Sequence, residues 1–201
     1  VGLDILTGYT GQISLGHGSF MAIGGYTTAL LMTDHGVRDV WTIPVAVVVA
    51  GLAGVAFGLP AARLSGLYLA LATFALIKHF EGLRRGGSGI NLFGREELTA
   101  SLAPVRILGV ELPFNTWLYY LCGVVALVAY ATGWLLVRGR TGRTLRAVRD
   151  SETAAVSSGI SLTRAKVLAF GVSAAFAGAA GALFALATTT PTRRKIERVT
   201  G

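Results

Sequence analysis

Charged side chains are scarce in this chain of 201 residues, and their scarcity excludes an ordinary soluble domain. Asp, Glu, Lys and Arg make up 14% of the sequence and hydrophobic types 53%, whereas soluble domains carry about 25% charged residues. A soluble fold of this size has no need of long stretches without charge. We therefore expect an integral membrane protein, an all-α polytopic bundle of transmembrane helices.

Cysteines and catalytic motifs are equally sparse. The single cysteine, Cys122, lies in an apolar run and offers neither a disulfide framework nor a CxxC pair. His17, His35 and His79 lie in three separate regions without the spacing of a metal site. There is no GxSxG and no HExxH, and GGSG at 86–89 lacks the ending of a phosphate-binding loop. We expect no metal, no cofactor, no catalytic residues and no ATP site in this chain.

The net charge of +8 would in another context suggest nucleic acid. Here the basic residues lie between apolar runs and form no stripe beside stacking aromatic side chains. This distribution is typical of charges that orient a protein in a bilayer, so we expect contact with membrane lipid and none with nucleic acid. The apolar runs contain no acid, which argues against a proton-coupled carrier.

Stretches without charge locate the spanning helices, because about 20 apolar residues cover the roughly 30 Å hydrocarbon core. The sequence predicts five spans, near 19–32, 40–62, 64–77, 117–137 and 167–190. The third is short and leaves two interpretations open. It is either an interfacial or re-entrant segment, or a span whose flanking Arg63 and Lys78 extend toward the interfaces.

Arginines predict the orientation of these helices. Five of them lie between Arg138 and Arg149, and the positive-inside rule places that loop in the cytoplasm. Counting backward, a spanning third run puts Arg63 inside and the weakly acidic turn at 34–39 outside, which favours the spanning interpretation. Residues 78–115 are then extracytoplasmic.

Small residues crowd the last apolar run. Ala174 and Gly178 lie four positions apart, as do Ala177 and Gly181. This spacing lets helix backbones approach closely in a membrane. We expect the last helix to face protein on more than one side.

Polar residues interrupt the first apolar run, whose stretch 8–26 reads GYTGQISLGHGSFMAIGGY. Gln12, Ser14 and His17 lie there among glycines, at the start of a spanning helix, and we place a break at 8–18. Irregular backbone at membrane depth survives only where protein or a water-filled cavity satisfies it. Two interpretations stay open: an interfacial loop that leads into a helix, or a helix break that lines a transport path.

The arginine-rich loop at 138–166 carries the pattern of a short capped helix. An acid or serine at its start can accept backbone N–H bonds, an acid in the first turn suits the helix dipole, alanines favour helix, and glycine supplies a left-handed stop. The residues in these roles are Asp150 or Ser151, Glu152, Ala154, Ala155 and Gly159. Any basic loop contacts anionic lipid, but a capped helix of about two turns is typical of a segment that docks into a groove on a soluble partner.

Three stretches resemble one known family. They are GLDILTGYTGQISLGHGSFMAIGGYTTALL from Gly2, LPAARLSGLYLALATFAL from Leu59, and GRTLRAVRDSETAAVSSGISLTRAKVLAFGVSAAFAGAAGALFA from Gly142. They are similar to the LivM-type permease subunits of branched-chain amino acid ABC transporters. The third resembles the ATPase-coupling loop of that family and the helix that follows it.

The resemblance implies a bacterial inner-membrane importer in which this chain transports and is not an enzyme. The implied partners are a second permease subunit, two ATPase subunits that hydrolyse ATP, and an extracytoplasmic amino acid binding protein. The residues that match the coupling pattern are Arg149, Asp150, Glu152, Ala154, Ala155 and Gly159. Those that match the family signature, and that we predict to line the translocation path, are Gln12, Ser14 and His17.

The end of the chain departs from the family. TPTRRKIERVTG from Thr190 is basic and unlike it, so we expect a transmembrane permease domain at 1–190 and an atypical basic tail at 191–201. We also expect a truncated or frame-shifted chain whose natural N-terminus is missing. Two alternatives stay open: a truncated remnant that does not transport, and a permease for another small cargo such as urea or amides.

Overall fold

The computed structural model describes residues 1–12, 14, 17–34, 39–62, 71, 75, 106–107, 110–111 and 114–188. The predicted third span at 64–77 and the predicted extracytoplasmic segment at 78–115 lie outside the described residues, except at 71, 75, 106–107, 110–111 and 114–115. The predicted basic tail at 191–201 lies wholly outside them. These three predictions therefore stay open.

Helices account for most of the described residues. The first helix, α1, runs over Gly2–Asp4 and continues as a wider π-helical turn over Ile5–Tyr9. The others are α2 (His17–Asp34), α3 (Asp39–Ala61), α4 (Phe114–Arg138), α5 (Arg140–Asp150), α6 (Glu152–Ser157) and α7 (Leu162–Thr188). Two-residue strands at Arg106–Ile107 and Val110–Glu111 pair antiparallel.

Helix α7 lies in the middle of the bundle, with α2 and α3 packed along it. A Cβ on Gly24 of α2 would overlap the backbone of Gly178 in α7. A Cβ on Gly178 would in turn lie 2.9 Å from the carbonyl oxygen of Ala46 in α3. Only glycine permits backbones to approach so closely at these two positions. The prediction that the last helix faces protein on more than one side is confirmed.

Neighbouring residues fix the directions of the three central helices. Helix α2 runs parallel to α7 and α3 runs antiparallel to both. The pairs that show this are His17 with Ser173 and Gly25 with Gly181 for α2, and Gly51 with Ala175 and Gly58 with Phe170 for α3.

Two apolar clusters lie at opposite ends of the bundle. The arginine-end cluster joins α1, α3, α5, α6 and the start of α7 through Ile5, Leu6, Ala61, Leu145, Val148, Ala155, Ala165, Ala169 and Phe170. The far-end cluster joins α3 and α7 through Ile43, Ala46, Ala182 and Leu186. Helix α4 reaches the far-end cluster with Leu118 and Leu121 and the arginine-end cluster with Val137. Helix α3 thus ends at the arginine end of the bundle, whereas α4 begins at the far end.

Three helices of the described residues are long and apolar enough to cross a membrane: Val40–Ala61, Thr116–Arg138 and Leu162–Thr188. They correspond to the predicted second, fourth and fifth spans, and α2 covers the helix predicted at 19–32. The prediction of a helical membrane bundle is confirmed. The count of about five spans remains a prediction.

Candidate functional site

The first candidate site is the break between α1 and α2. At the end of α1 the Thr10 hydroxyl donates to the Leu6 carbonyl oxygen, and the Gln12 N–H donates to the same oxygen at 3.2 Å. Gly11 between them has a φ of 67°, which glycine adopts without strain. Wide π-type turns of this kind often occur at functional positions. The π-helical turn ends at Tyr9 and α2 begins at His17, so residues 8–9 and 17–18 of the predicted break at 8–18 are helical.

The break lies deep in the bundle. His17 Nε2 is 2.6 Å from Ser173 Oγ, and Ser173 stands eleven residues after Leu162, where α7 begins. At about 1.5 Å per residue, α2 therefore starts about 16 Å along α7; counted from Val167, where the uncharged span begins, the depth is about 9 Å, roughly a third of a 30 Å hydrocarbon core. Of the two interpretations of this segment, its depth favours a helix break over an interfacial loop.

A chain of hydrogen bonds crosses the break. The Ser173 hydroxyl donates to the Gly2 carbonyl oxygen at 2.6 Å, so its oxygen is free to accept from Nε2–H of His17. Ser14 Oγ lies 3.3 Å from Nδ1 of the same ring. A neutral imidazole that donates from Nε2 accepts at Nδ1, which assigns Ser14 as the donor there. The bonds join α1, the break, α2 and α7.

Aromatic rings extend this network into α3. The His17 ring meets Phe20 edge to face at a centroid distance of 6.2 Å, Phe20 meets Phe57 at 6.2 Å, and Phe57 meets Phe170 at 6.1 Å. Edge-to-face pairs at such distances are favourable beyond the area that they bury. The orientation of His17 is therefore fixed by packing as well as by hydrogen bonds.

Three buried polar side chains in the break and in α2 have no hydrogen-bond partner in the described part of the chain. They are Gln12, Ser19 and Thr28, which are 7%, 3% and 0% exposed. An unpaired buried polar group costs about 1–3 kcal/mol. The sequence predicted Gln12. It did not single out Ser19 and Thr28, because such residues in a membrane helix commonly bond their own backbone.

The second candidate site is the loop formed by α5 and α6. Helix α5 buries Gly142, Leu145 and Val148, and its arginine side chains are exposed. A Cβ on Gly142 would overlap the backbone of Val137, so the loop folds tightly back on the end of α4.

Helix α6 begins and ends as the sequence indicated. Of the two candidate caps, Ser151 fills the role, since its Oγ accepts from the Ala154 N–H at 3.3 Å. Gly159 has a φ of 80°, and the Ile160 N–H bonds back to the Ala155 carbonyl at 3.0 Å, which closes the helix. Within α6 only Ala155 is buried, so this short helix lies on the surface and presents most of its side chains outward.

Two polar contacts tie the loop to the bundle. Arg149 Nη1 donates to the Gly8 carbonyl oxygen at 2.9 Å, and Lys166 Nζ lies 2.8 Å from Glu152 Oε1. Lys166 is 5% exposed and was missed by the sequence reasoning, because no local spacing links it to the loop. Arg149 also pairs with Asp150 at 3.0 Å, but both side chains are exposed and such pairs contribute little.

The structure thus places the predicted residues in two groups. Ser14 and His17 bond each other and Gln12 lies buried close by in sequence, while the predicted docking residues gather in the α5–α6 loop. In the described ranges no three His, Cys, Asp or Glu side chains come together as a metal site would need. The arrangement offers polar groups inside a membrane bundle and an exposed helix beside the arginines.

These features define a polytopic membrane protein that carries a short, exposed and capped helix beside its arginines. Residues 1–197 match the family described as branched-chain amino acid transport system / permease component. The chain belongs to this family. The match runs into the stretch 191–201 that the sequence led us to expect as atypical.

Two relatives make the family more specific. The chain is 35% identical over 207 residues to the high-affinity branched-chain amino acid transport system permease protein LivM of Salmonella typhimurium (strain LT2) and to that of Escherichia coli (strain K12). Each alignment covers 92% of this chain and 48% of the relative, so the chain spans about half the length of the curated relatives it matches. No solved structure gives a significant match.

Proposed function

We propose that this chain is part of the membrane-spanning permease subunit of an ATP-binding-cassette importer for branched-chain amino acids in a bacterial inner membrane. Family membership across residues 1–197 supports the transport role, and the names of the two relatives support the cargo. The chain carries the path and is not an enzyme. Two ATPase subunits, a second permease subunit and an extracytoplasmic amino acid binding protein complete the importer.

One observation carries this proposal: α6 is an exposed helix, capped at both ends, within the arginine-rich loop. A helix fixed in this way moves as a rigid unit when a partner displaces it, whereas a flexible loop would change shape without moving its neighbours. ATPase subunits that close on ATP would displace α6 and with it the elements of the arginine-end cluster. Alternating access then follows from a shift of the bundle, with no bond of the cargo broken.

The break between α1 and α2 suits a place on the translocation path. The first turn of a helix has N–H groups without intrahelical partners, and in α2 this turn lies at membrane depth. Broken helices in transporters direct such groups at the charged ends of a substrate. Gln12, Ser14 and His17 supply further polar atoms there, and the buried side-chain amide of Gln12 has no hydrogen-bond partner in the described residues.

The docking role is tested with Val156→Asp, because Val156 is 53% exposed on α6 and supports no described packing. The chain and its cognate ATPase are co-purified from membranes. We expect recovery of the ATPase to fall at least tenfold. Ser161→Asp is the matched control: it adds the same charge to the same loop, at the exposed residue before α7, where an acid is tolerated. Normal recovery with Val156→Asp, or equal loss with both variants, would refute the role of α6.

The cargo is tested separately by uptake in cells that lack their own branched-chain permease. The cells express this chain together with its second permease, ATPases and binding protein. We expect uptake of labelled leucine, and competition by isoleucine and valine but not by urea or acetamide. Uptake of urea in place of leucine would change the cargo, and uptake of neither would favour the non-transporting remnant.

A further inference from the structure

The α5–α6 loop is joined to two different parts of the bundle by contacts on either side of Ser151. On one side Arg149 donates to the Gly8 carbonyl oxygen at 2.9 Å, and on the other Glu152 pairs with Lys166 at 2.8 Å. The two attachment points are therefore only three positions apart in sequence. Any displacement of α6 acts on both contacts at once.

The ion pair is asymmetric in burial. The Lys166 side chain is 6% exposed and that of Glu152 is 49% exposed. A buried ammonium group has lost its water and needs an anionic partner, whereas a half-exposed carboxylate remains hydrated without one. Lys166 therefore fixes the position of Glu152 and of the first turn of α6. Since the carboxylate already binds Lys166, it is not a free docking group.

The two contacts are connected to the same hydrogen bonds at Ser173, one through α1 and the other through α7. Gly8 lies at the end of α1, whose Gly2 carbonyl accepts from Ser173. Lys166 lies in α7 itself, about two turns before Ser173. Ser173 also accepts from His17, at the start of α2. Both routes thus end at the hydrogen bonds that hold the helix break.

We infer that Arg149 and Lys166 are positioning residues that carry a displacement of α6 to the break, Arg149 through α1 and Lys166 through α7. The inference rests on the proposed transport function and assigns the residues that couple its two sites. It also divides the predicted docking residues. Glu152 and Arg149 face the bundle, and the partner meets outward residues of α6 such as Thr153, Val156 and Ser157.

The test uses the whole importer in liposomes, with Lys166→Met and Arg149→Gln as separate variants. Arg164→Met is the control for Lys166, because Arg164 is an exposed cation two positions away on the same helix. Arg143→Gln is the control for Arg149, because it is an exposed arginine of the same helix α5. Bound ATPase and leucine uptake per ATP hydrolysed are both measured.

We expect both test variants to bind ATPase within twofold of the unmodified importer and to lose at least fivefold in uptake per ATP. The two controls should stay within twofold in both measurements, and Lys166→Arg should restore most of the coupling lost in Lys166→Met. Unchanged uptake per ATP in both test variants, or loss of ATPase binding in step with uptake, would overturn the inference. Should Lys166→Met fail to fold, Arg149→Gln decides alone, since its side chain is 43% exposed.

A distance measurement checks the same inference without transport. Spin labels are placed at Ser157→Cys in α6 and Thr188→Cys in α7, in a Cys122→Ser background. We expect a narrow distance distribution with Lys166 present or replaced by Arg, and a distribution at least twice as broad with Lys166→Met. Equal widths would refute the role of the ion pair. If instead the unmodified importer neither binds ATPase nor takes up leucine, the proposed function fails, whatever the labels show.

Discussion

Helices α4 and α7 are equally apolar, yet the described residues pack against them to very different extents. Their mean hydropathy is the same, and their lengths are 25 and 27 residues. In the most apolar 18-residue stretch of each helix, however, half of the residues of α7 are buried and only 6% of those of α4. Hydropathy predicts that a helix enters the membrane and says nothing about what it faces there. The size of the side chains indicates which helices pack closely, because glycine and alanine let backbones touch while leucine, valine and tyrosine hold them apart.

Polar side chains differ between the two helices in the same way. In α7, Ser173 bonds Gly2 and His17, and Lys166 pairs with Glu152, so these two buried side chains join other elements. In α4 the Thr132 hydroxyl donates to the Val128 carbonyl of its own helix at 2.8 Å. A hydroxyl on an exposed face of a membrane helix commonly bonds its own backbone. Among the described residues, the buried polar side chains of α7 therefore connect elements, whereas this exposed hydroxyl of α4 does not.

The largest expected difference concerns the glycines. Gly178→Leu in α7 would drive a side chain into Ala46 and Ala50 of α3, and overpacking on this scale costs about 3 kcal/mol or more. Gly123→Leu in α4 is the matched control, since a Cβ there meets no atom of the described residues within 4 Å. We expect its free energy of unfolding to change by less than about 0.5 kcal/mol. Titration with denaturant in detergent micelles measures both.

The comparison between the two helices fails if these variants behave alike. Equal destabilisation would mean that α4 is packed on a face where the described residues leave it open. Equal tolerance would mean that α7 can move away from α3 at little cost, and that the close approach at Gly178 is not needed for stability.

A smaller difference is expected for the hydroxyls. Ser173→Ala removes the acceptor of His17 and the donor to Gly2, and leaves buried polar atoms unpaired at about 1–3 kcal/mol. Thr132→Ala removes a bond within one exposed turn of α4, and we expect a change below about 0.5 kcal/mol. The same denaturant titration compares them. A Ser173→Ala variant as stable as Thr132→Ala would show that the hydrogen-bond chain contributes nothing to stability.

The limits of the helices were largely predictable from the sequence. The spans predicted at 40–62 and 117–137 differ from α3 and α4 by one to three residues at each end, because loss of charge marks the hydrocarbon. Helix α7 begins five residues before the predicted 167. It continues into the interface through Arg164 and Lys166, which a search for uncharged stretches places outside the helix.

The partners of the polar residues were not predictable. Ser173 and Gly2 are 171 positions apart, and no periodicity of the sequence indicates that they meet. Helix α1 was missed altogether, since three α-helical residues and one π-helical turn are too short to show a pattern. So short a helix depends on packing against α7 rather than on its own propensity. The capping residues of α6, by contrast, lie next to that helix in the sequence, so both of its ends were predictable from the sequence alone.

The smallest expected effect lies at the arginine end of α4. The guanidinium carbon of Arg138 lies 4.1 Å from the centroid of the Trp134 ring, an arrangement worth about 0.5–1 kcal/mol at an exposed site. A double-mutant cycle with Trp134→Ala and Arg138→Gln should give a coupling energy in that range, and Trp134→Phe should keep most of it. The same cycle on Glu152 and Lys166 should give a larger coupling, because that cation is buried. If the two cycles agree, the ends of α4 and α7 are held alike, and burial does not set the strength of these contacts.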